Sequence, residues 1–355
     1  MSPPQARPQV DLGLRAQSRR AGAWIIGLVL LLLITILAGI CLGSAAIHPG
    51  EAVGIVARHV GFGSPDSPTP QDTIVWAIRT PRTLLAVMVG AGLASSGVVL
   101  QAVVRNPLAD PYLLGINSGA SCGAAAAILF GLGSGLASGV LLQTSAFLGA
   151  LAASVLVFAI AQHRRRLIPL RLLLAGVAVG YALSAATSFL IFSSDSAEGS
   201  RSVMFWLLGS LGLAAWDGAL VVSAIVLALC LTVMHVQARR LDALSIGDDT
   251  TLSLGINPDR LRAVVLVVVC LLVGVLVAMA GSIGFIGLVV PHLARRLVGS
   301  THRFVLPVSA LIGASLLVVA DILARVIIAP QELPIGIITA LIGAPFLLLL
   351  VRRTT

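Results

Sequence analysis

The sequence predicts an all-α polytopic membrane protein with about ten transmembrane helices. The first of three observations is composition: 58% of the 355 residues are hydrophobic and only 10% are charged, more apolar than a soluble fold requires. The second is a stretch without any charged residue from Pro111 to Gln162, long enough for two spans of about 20 residues. The third is that arginines cluster in short segments between apolar runs, as they do in the loops of membrane proteins.

Apolar runs between charged clusters delimit the ten predicted spans. The first run is longer than the apolar core of a signal peptide, about 7–15 residues, so it predicts a retained span. Residues 1–20 are predicted to be a disordered cytoplasmic tail, and residues 21–353 a single transmembrane domain. The approximate limits of the spans are 22–46, 83–104, 113–132, 136–162, 172–193, 217–237, 262–281, 284–298, 304–324 and 335–351.

The distribution of arginine predicts the orientation. With the N-terminus in the cytoplasm, 18 of the 23 basic residues lie on the cytoplasmic side, as the positive-inside rule requires. The sequence therefore predicts a multi-pass membrane protein, in contact with lipid and with both termini cytoplasmic. The five arginines left outside are Arg58, Arg79, Arg82, Arg201 and Arg325.

Several classes of function are excluded by what the sequence lacks. It contains no lysine, whereas the phosphate-binding loop of an ATPase needs one, so the chain is not its own ATPase of that type. Its net charge of +9 lies in short loops between spans and does not predict a nucleic-acid partner. The four cysteines have no C-x-x-C spacing, and no catalytic set is visible. We expect no metal site, no cofactor and no enzymatic activity.

One predicted cytoplasmic segment, residues 238–260, has an unusual pattern. In "QARRLDALSIGDDTTLSLGINPDRLR" apolar residues recur and are interrupted by two glycines, which predicts two short amphipathic helices at the membrane surface. An apolar face suits a docking element, and a plain solvated linker is the alternative. The candidate docking residues are Leu244, Ile246, Gly247, Asp248, Asp249, Leu252 and Gly255.

A weak internal repeat relates Gly92–Gly115 to Val277–Gly299. Both segments run from small residues through an apolar stretch to a proline-containing break and a leucine-rich end. The predicted topology starts the two copies on opposite sides of the membrane, and inverted repeats are typical of transporters.

Small residues and one pair of charges carry predictions about packing. Gly115, Gly119 and Gly123 recur every four residues, which favours close helix packing in lipid, with pore lining as the alternative. Asp321 and Arg325 are four residues apart. An unpaired charge within the bilayer is unfavourable by about 2.5–3.5 kcal/mol or more, so these two residues are predicted to pair.

Five blocks of the sequence, in order, resemble the FecCD family of permease subunits from importers of iron-siderophores, haem and cobalamin. The resemblance extends from about residue 21 to residue 353. It implies a ten-helix subunit that pairs with a second permease subunit, identical or paralogous. Its further partners would be a dimer of cytoplasmic ATPase subunits and an extracytoplasmic substrate-binding protein. The blocks are "WAIRTPRTL", "NPLADPYLLG", "RLLLAGVAVG", "GSIGFIGLVVPHLAR" and "ELPIGIITALIGAPFLLLL".

The resemblance also implies roles for individual residues. The turn after the second span would lie beside the translocation path at its cytoplasmic end, with Asn106, Pro107 and Leu108 at a constriction and Pro169 and Leu170 at a second one. Arg79, Arg82 and Arg325 would lie on the outer face and bind acidic residues of the binding protein. The alternative for these three arginines is that they only anchor their helices.

The expected function is therefore import of an iron chelate, siderophore-bound iron or haem, by alternating access. A cobalamin importer of the same family is the alternative. An ion-coupled secondary transporter is the alternative from another class, and it would need carboxylates inside the spans.

Overall fold

The computed structural model describes residues 14–43, 45–62, 69–131, 138–163 and 166–354. These ranges are predominantly helical. A π-helical segment (Thr73–Arg79), a 3₁₀ turn (Pro111–Leu114) and two paired two-residue strands, β1 (Gln162–His163) and β2 (Arg166–Leu167), complete the secondary structure. The α-helices are α1 (Leu14–Cys41), α2 (Pro49–His59), α3 (Pro70–Asp72), α4 (Thr80–Val104), α5 (Ile116–Leu129), α6 (Ser138–Ala161), α7 (Pro169–Phe192), α8 (Ala197–Leu207), α9 (Gly218–Val236), α10 (Ala238–Ile246), α11 (Asp248–Ser253), α12 (Pro258–Ala280), α13 (Ile286–Val298), α14 (His302–Val326) and α15 (Ile335–Thr354).

Each of the ten predicted spans coincides with a helix, namely α1, α4, α5, α6, α7, α9, α12, α13, α14 and α15. Seven helices in the described part of the chain are long and apolar enough to cross a bilayer. The apolar segments of α5 (Ile116–Leu129) and α15 (Ile335–Leu349) are shorter. Helix α13 has 13 residues, which corresponds to about 20 Å at 1.5 Å per residue, less than the thickness of the hydrocarbon core.

The predicted disordered tail needs a correction. Its last residues, from Leu14 onward, form the first turns of α1. The Gln17 side chain donates a hydrogen bond to the carbonyl of Val298, 3.0 Å away, and this contact ties the start of α1 to the end of α13. Residues 1–13 lie outside the described residues.

Helix α4 is the centre of the fold and packs against α12, α13 and α14. Its closest neighbour is α14, because small residues face each other where the two helices meet. A Cβ atom on Gly313 would lie 2.3 Å from the carbonyl oxygen of Gly90 and 2.6 Å from the Cβ of Ala94. Only glycine permits this backbone approach, and α4 and α14 therefore bury a long common face.

Helices α5 and α6 meet in the same way. A Cβ on Gly119 would lie 2.3 Å from the carbonyl of Gly149, and one on Gly123 would lie 2.2 Å from the carbonyl of Ser145. The predicted packing face of α5 is thus confirmed for these two glycines. Gly115 has a different role, because its φ of 72° ends the 3₁₀ turn before α5 in a conformation that glycine adopts without strain.

The π-helical segment has a local cause in the sequence. Pro81, in the first turn of α4, lacks an N–H group, and its ring collides with the carbonyl four residues earlier. The Thr80 N–H bonds instead to the carbonyl of Val75, five residues back, and the Thr80 hydroxyl donates to the same oxygen at 2.6 Å. The helix from Pro70 to Val104 is therefore continuous and locally wider.

The two segments of the proposed repeat differ in their local conformation. In the first segment, α4 ends before the prolines, at Val104. In the second, Pro291 lies inside α13, and the non-helical stretch precedes it, from Gly281 to Phe285. Both segments interrupt a helix, but at different positions. The inverted relation between them stays a prediction.

The contacts divide the loops between two ends of the bundle. The end that carries Arg105, Asp242 and Arg295 is called the inner end, where hydrogen bonds connect α4, α10, α13 and the start of α14. The end that carries Trp76 and Glu332 is called the outer end. The assignment of the inner end to the cytoplasm stays a prediction.

The α4–α14 contact can be tested with Gly313→Val. The added methyl groups collide with the backbone of α4, and overpacking of this kind destabilises by about 1–3 kcal/mol or more. We expect a clear loss of thermal stability of the detergent-purified protein, measured by intrinsic fluorescence. Gly27→Val is the matched control, because no atom lies within 4 Å of a Cβ at that helical position. Equal melting of the two variants would contradict the role given to Gly313.

Candidate functional site

The predicted constriction after α4 is a compact turn at the inner end. Arg105 ends α4 with a left-handed φ of 55°. The side-chain oxygen of Asn106 accepts the N–H of Leu108 at 2.9 Å, and its carbonyl accepts the N–H of Ala109. Pro107 restricts the backbone between them. The side chain of Leu108 is not drawn into the core and remains 42% exposed.

The second predicted constriction lies at the start of α7. Pro169 is half-buried and Leu170 is exposed. Helix α7 touches the turn after α4 elsewhere, where a Cβ on Gly176 would lie 1.7 Å from the carbonyl of Leu113. Gly176 is six residues beyond Leu170, about 9 Å along the helix axis. Helix α7 therefore begins at the second predicted constriction and packs, further along, against the 3₁₀ turn that follows the first.

Tyr112 fastens this turn to the break before α13, which sequence reasoning had missed. Its hydroxyl donates to the carbonyl of Ile283 and accepts the N–H of the same residue, both at 3.0 Å. The side chain of Asp110 caps the 3₁₀ turn by accepting the N–H of Tyr112 at 2.8 Å. The turn after α4 and the break before α13 are therefore connected by one side chain. The two residues are 171 positions apart in the sequence, so no local sequence pattern predicts their contact.

The segment 238–260 contains two short helices, α10 and α11, as predicted; we call this segment the coupling loop. Its residues have two distinct environments. Leu244 is 0% exposed, whereas Ile246 is 73% exposed. Leu252 and Leu254 are also exposed. The face available to a partner therefore consists of Ile246, Leu252 and Leu254, while Leu244 is an internal anchor and its expected direct role in docking is corrected.

Polar residues fix the geometry of the coupling loop. Asp248 binds the guanidinium groups of both Arg105 and Arg262. The hydrogen bonds from Arg262, together with the charge of both arginines, hold the pKa of Asp248 below its ordinary value. Gly247 joins the two helices, and Gly255 turns the chain after α11 with a φ of 74°. Asp249 is exposed, as are Ser253 and Leu254 beyond it.

The three outer arginines are buried, with exposures of 5–7%. Arg79 donates to the carbonyls of Ile40, Cys41 and Ala45. Its hydrogen bonds are therefore made within the protein, at the end of α1. In this conformation it is not presented to an acidic partner.

Arg82 and Arg325 share the buried carboxylate of Asp321. The Arg82 Nε lies 2.8 Å from one oxygen and the Arg325 Nε 3.0 Å from the other, so the predicted pair of Asp321 and Arg325 is confirmed. Arg82 also binds Glu332 at 2.7 Å. Arg325 donates to the carbonyls of Gly39 and Leu42. The expectation that these arginines contact a binding protein directly is corrected for this conformation, because all three are buried and bonded within the protein.

A cavity of about 730 Å³ opens at the outer end; we call it the outer cavity. Its wall is largely apolar, with Phe205, Trp206 and Met279, and its polar groups include Arg82 and Glu332. Its size and lining suit a small organic ligand. Beside it, Trp76 stacks on Trp216 with ring centroids 4.7 Å apart.

A second cavity, of about 450 Å³, opens at the inner end; we call it the inner cavity. It lies next to the predicted constriction. Gln101 connects two of its walls, because its Oε1 accepts a 2.6 Å hydrogen bond from Arg295 of α13. A glutamine inside an otherwise apolar span is the sequence signal that could have predicted this contact. The lining residues are Gln101, Ala102, Arg105, Asn106, Pro107, Ser245, His292, Arg295, Arg296, Ser300 and His302.

Comparison with known proteins relates nearly the whole chain to membrane permeases. The model of the FecCD transport family matches residues 31–353. The chain is 41% identical over 338 residues to the vitamin B12 import system permease protein BtuC of Klebsiella pneumoniae, covering 95% of this chain and 96% of that protein. It is 44% identical over 282 residues to the hemin transport system permease protein HmuU of Yersinia pestis, covering 79% and 83% respectively.

A solved structure has the same fold. It is described as an inward-facing conformation of a putative metal-chelate type ABC transporter, and it matches with a TM-score of 0.80 and 36% identity. The match covers 93% of this chain and 98% of the other. The predicted class of helical membrane protein is therefore confirmed.

The buried ion pairs at the outer end lead to a stability prediction. Asp321→Asn leaves Arg82 and Arg325 without their shared charge, and breaking a buried pair in this way destabilises by about 3–5 kcal/mol. Glu332→Gln removes a half-exposed carboxylate, and we expect a much smaller effect, up to about 1 kcal/mol. Thermal unfolding of both purified variants measures the difference. Similar melting temperatures would show that Asp321 does not organise this end.

Proposed function

We infer that the chain, which belongs to the FecCD transport family, is the permease subunit of an ATP-binding-cassette importer, and we propose a metal chelate as its cargo. The near full-length similarity to importer permeases is the observation that carries this proposal. Vitamin B12 and hemin, named for two relatives, are both metal-centred macrocycles. An iron chelate, haem or a ferric siderophore, is the proposed cargo, and cobalamin is the alternative within the family.

The energy would come from separate ATPase subunits. The exposed apolar side chains of Ile246, Leu252 and Leu254 support the coupling loop as the docking site. Leu241 and Leu244 anchor the loop from beneath. In a linker with no partner, an apolar face exposed to water would be unfavourable.

Ion-coupled transport is less well supported. A coupling site needs a carboxylate that is free to bind and release an ion within a span. Among the described residues of α14, the carboxylate inside the span is Asp321, and two guanidinium groups hold it.

We place the translocation path between this subunit and a second permease subunit, identical or paralogous. The exposed side chains of Leu108 and Leu170 support this assignment, because apolar side chains at a constriction need a facing surface. The outer cavity, with its apolar wall, is proposed to open to this path.

A substrate-binding protein is proposed to dock at the outer end, around the outer cavity. Arg79, Arg82 and Arg325 would support this rim from beneath, and the half-exposed carboxylate of Glu332 is available to a partner. A bacterial inner membrane with both termini in the cytoplasm accounts for the arginine-rich inner end.

Transport by the reconstituted complex tests the cargo. The permease would be placed in liposomes with its ATPase and binding protein, and uptake of hemin, a ferric siderophore and cyanocobalamin would be measured. We expect ATP-dependent uptake of one of these metal chelates. Uptake that depends on an ion gradient, without the ATPase, would contradict the proposal.

The coupling loop can be tested with the double variant Ile246→Asp and Leu252→Asp. Two carboxylates on the exposed face should weaken ATPase binding at least tenfold and abolish transport, with little change in the melting temperature. Val236→Asp, at an equally exposed apolar position just before the loop, should leave binding intact. Leu244→Asp should instead destabilise the fold, since that side chain is buried. Normal ATPase binding by the double variant would place the docking site elsewhere.

The gate can be tested with Leu108→Cys. A disulfide needs Cα atoms within about 7 Å, so we expect crosslinks between permease subunits in at least one nucleotide state. A paralogous partner would require a second cysteine at its matching position. Val236→Cys serves as the exposed control and should not crosslink. Absence of the Leu108 crosslink in every nucleotide state would remove this residue from the path.

A further inference from the structure

The lining of the inner cavity is strongly cationic. Three arginines and two histidines contribute to it, and the eleven lining residues include no aspartate or glutamate. Positive groups gathered in a concave site repel one another unless an anion joins them. Whether the positive charge of the cavity is neutralised within the protein therefore depends on the hydrogen-bond and ion-pair partners of each group.

His302 has one ring nitrogen in use and one without a partner. Its Nδ1 lies 2.6 Å from the Oδ1 of Asp242, which also accepts the backbone N–H of His302 at 2.9 Å. Because a carboxylate only accepts hydrogen bonds, Nδ1 carries the proton. The Nε2 atom is buried and has no hydrogen-bond partner among the described residues. The side chain as a whole is only 4% exposed, so it lines the cavity from within the fold.

His292 repeats this situation on α13. Its Nε2 is also buried and has no partner in the described part of the chain, and its ring meets the edge of Phe346. Both atoms are closed off from solvent, so the groups of the cavity that can reach an anion are the arginines.

Within the described residues, the charges of Arg295 and Arg296 are not neutralised by carboxylates. Arg295 hydrogen-bonds the uncharged amide of Gln101. Arg296 is exposed and has no ion pair among the described residues. By contrast, Arg105 on the opposite wall is paired with Asp248. The uncompensated positive charge therefore lies on α13.

We propose that the inner cavity accepts a carboxylate side chain of the ATPase subunit, as a second docking point beside the coupling loop. This inference rests on the proposed function. A guanidinium group suits a carboxylate because it donates two parallel hydrogen bonds. Ser245 of α10 lines the cavity, so the cavity and the coupling loop form one continuous surface.

The position of the cavity favours a protein partner over a lipid headgroup. It surrounds the inner end of α4, which is the central helix and is almost entirely buried. A lipid would reach a site on the perimeter of the bundle, and basic pockets between outer helices are the usual headgroup sites. The inner cavity opens instead at the end of the bundle where the coupling loop lies.

Binding of the ATPase to the permease in phosphatidylcholine nanodiscs tests the proposal. Arg296→Glu reverses an exposed charge and should weaken binding at least tenfold, which corresponds to about 1.4 kcal/mol, whereas Arg296→Lys should retain most of the affinity. The matched control is Arg303→Glu, an exposed arginine of α14 that does not line the cavity, and it should bind within twofold of wild type. Raising the salt concentration should reduce the difference between Arg296→Glu and wild type.

Three outcomes separate the hypotheses. If wild type binds the ATPase and Arg296→Glu binds equally well, the cavity is not a docking point, although the proposed function stands. If wild type does not bind the ATPase at all, the proposed function itself fails. If adding phosphatidylglycerol stabilises wild type but not Arg296→Glu, while ATPase binding is equal, the cavity holds a lipid and the proposal is overturned. Recovery of Arg296→Glu binding by an acidic-to-arginine change in the ATPase would identify the carboxylate.

Discussion

The carboxylate of Asp321 is the group on which the outer half of the structure depends. It is 1% exposed, and a charge at such a position is tolerated only with full compensation. Arg82 comes to it from α4 and Arg325 from its own helix. The same two helices meet through Gly90 and Gly313. Close backbone contact and a buried ion pair thus hold together one helix pair, around which the other helices pack.

The arginines extend this arrangement to α1. The last carbonyls of a helix have no partner within the helix, and in a bilayer such groups must be satisfied by the protein. Arg79 binds the carbonyls of Ile40 and Cys41, and Arg325 binds those of Gly39 and Leu42. Basic side chains from α14 and from the π-helical segment therefore terminate α1. The arginines at the outer end therefore stabilise the fold, which explains why they lie there although most arginines were assigned to the opposite side.

The contacts at the inner end are of another kind. Asp248 is half-exposed and shared by two arginines, one of them also partly exposed. The apolar face of the coupling loop is open, although its anchor residues are buried. Ion pairs that water reaches contribute little to stability, and regions of low local stability are where proteins rearrange. The fold thus places fixed ion pairs at one end of α4 and exchangeable ones at the other.

The spans and the glycine contacts of α5 follow from the sequence, because hydropathy and a four-residue spacing are local properties. The direction of single side chains does not. Leu244 and Ile246 have similar apolar character, yet one is buried and the other exposed, because α10 rests on α4 and α14. The arginines were assigned to the surface because nothing in the sequence shows that the end of α1 reaches them. Tyr112 and Ile283 meet only because two distant breaks are adjacent in the folded chain.

The left-handed residue at the end of α4 has a mechanical consequence. Arg105 fixes its guanidinium group to the Leu244 carbonyl and to Asp248, and the next residue in the chain is Asn106. In the proposed importer, a displacement of α10 by a bound ATPase would therefore reach the turn after α4 through this side chain. The proposed docking site and the predicted constriction would then be connected through one residue, in addition to the packing of α10 against α4 and α14.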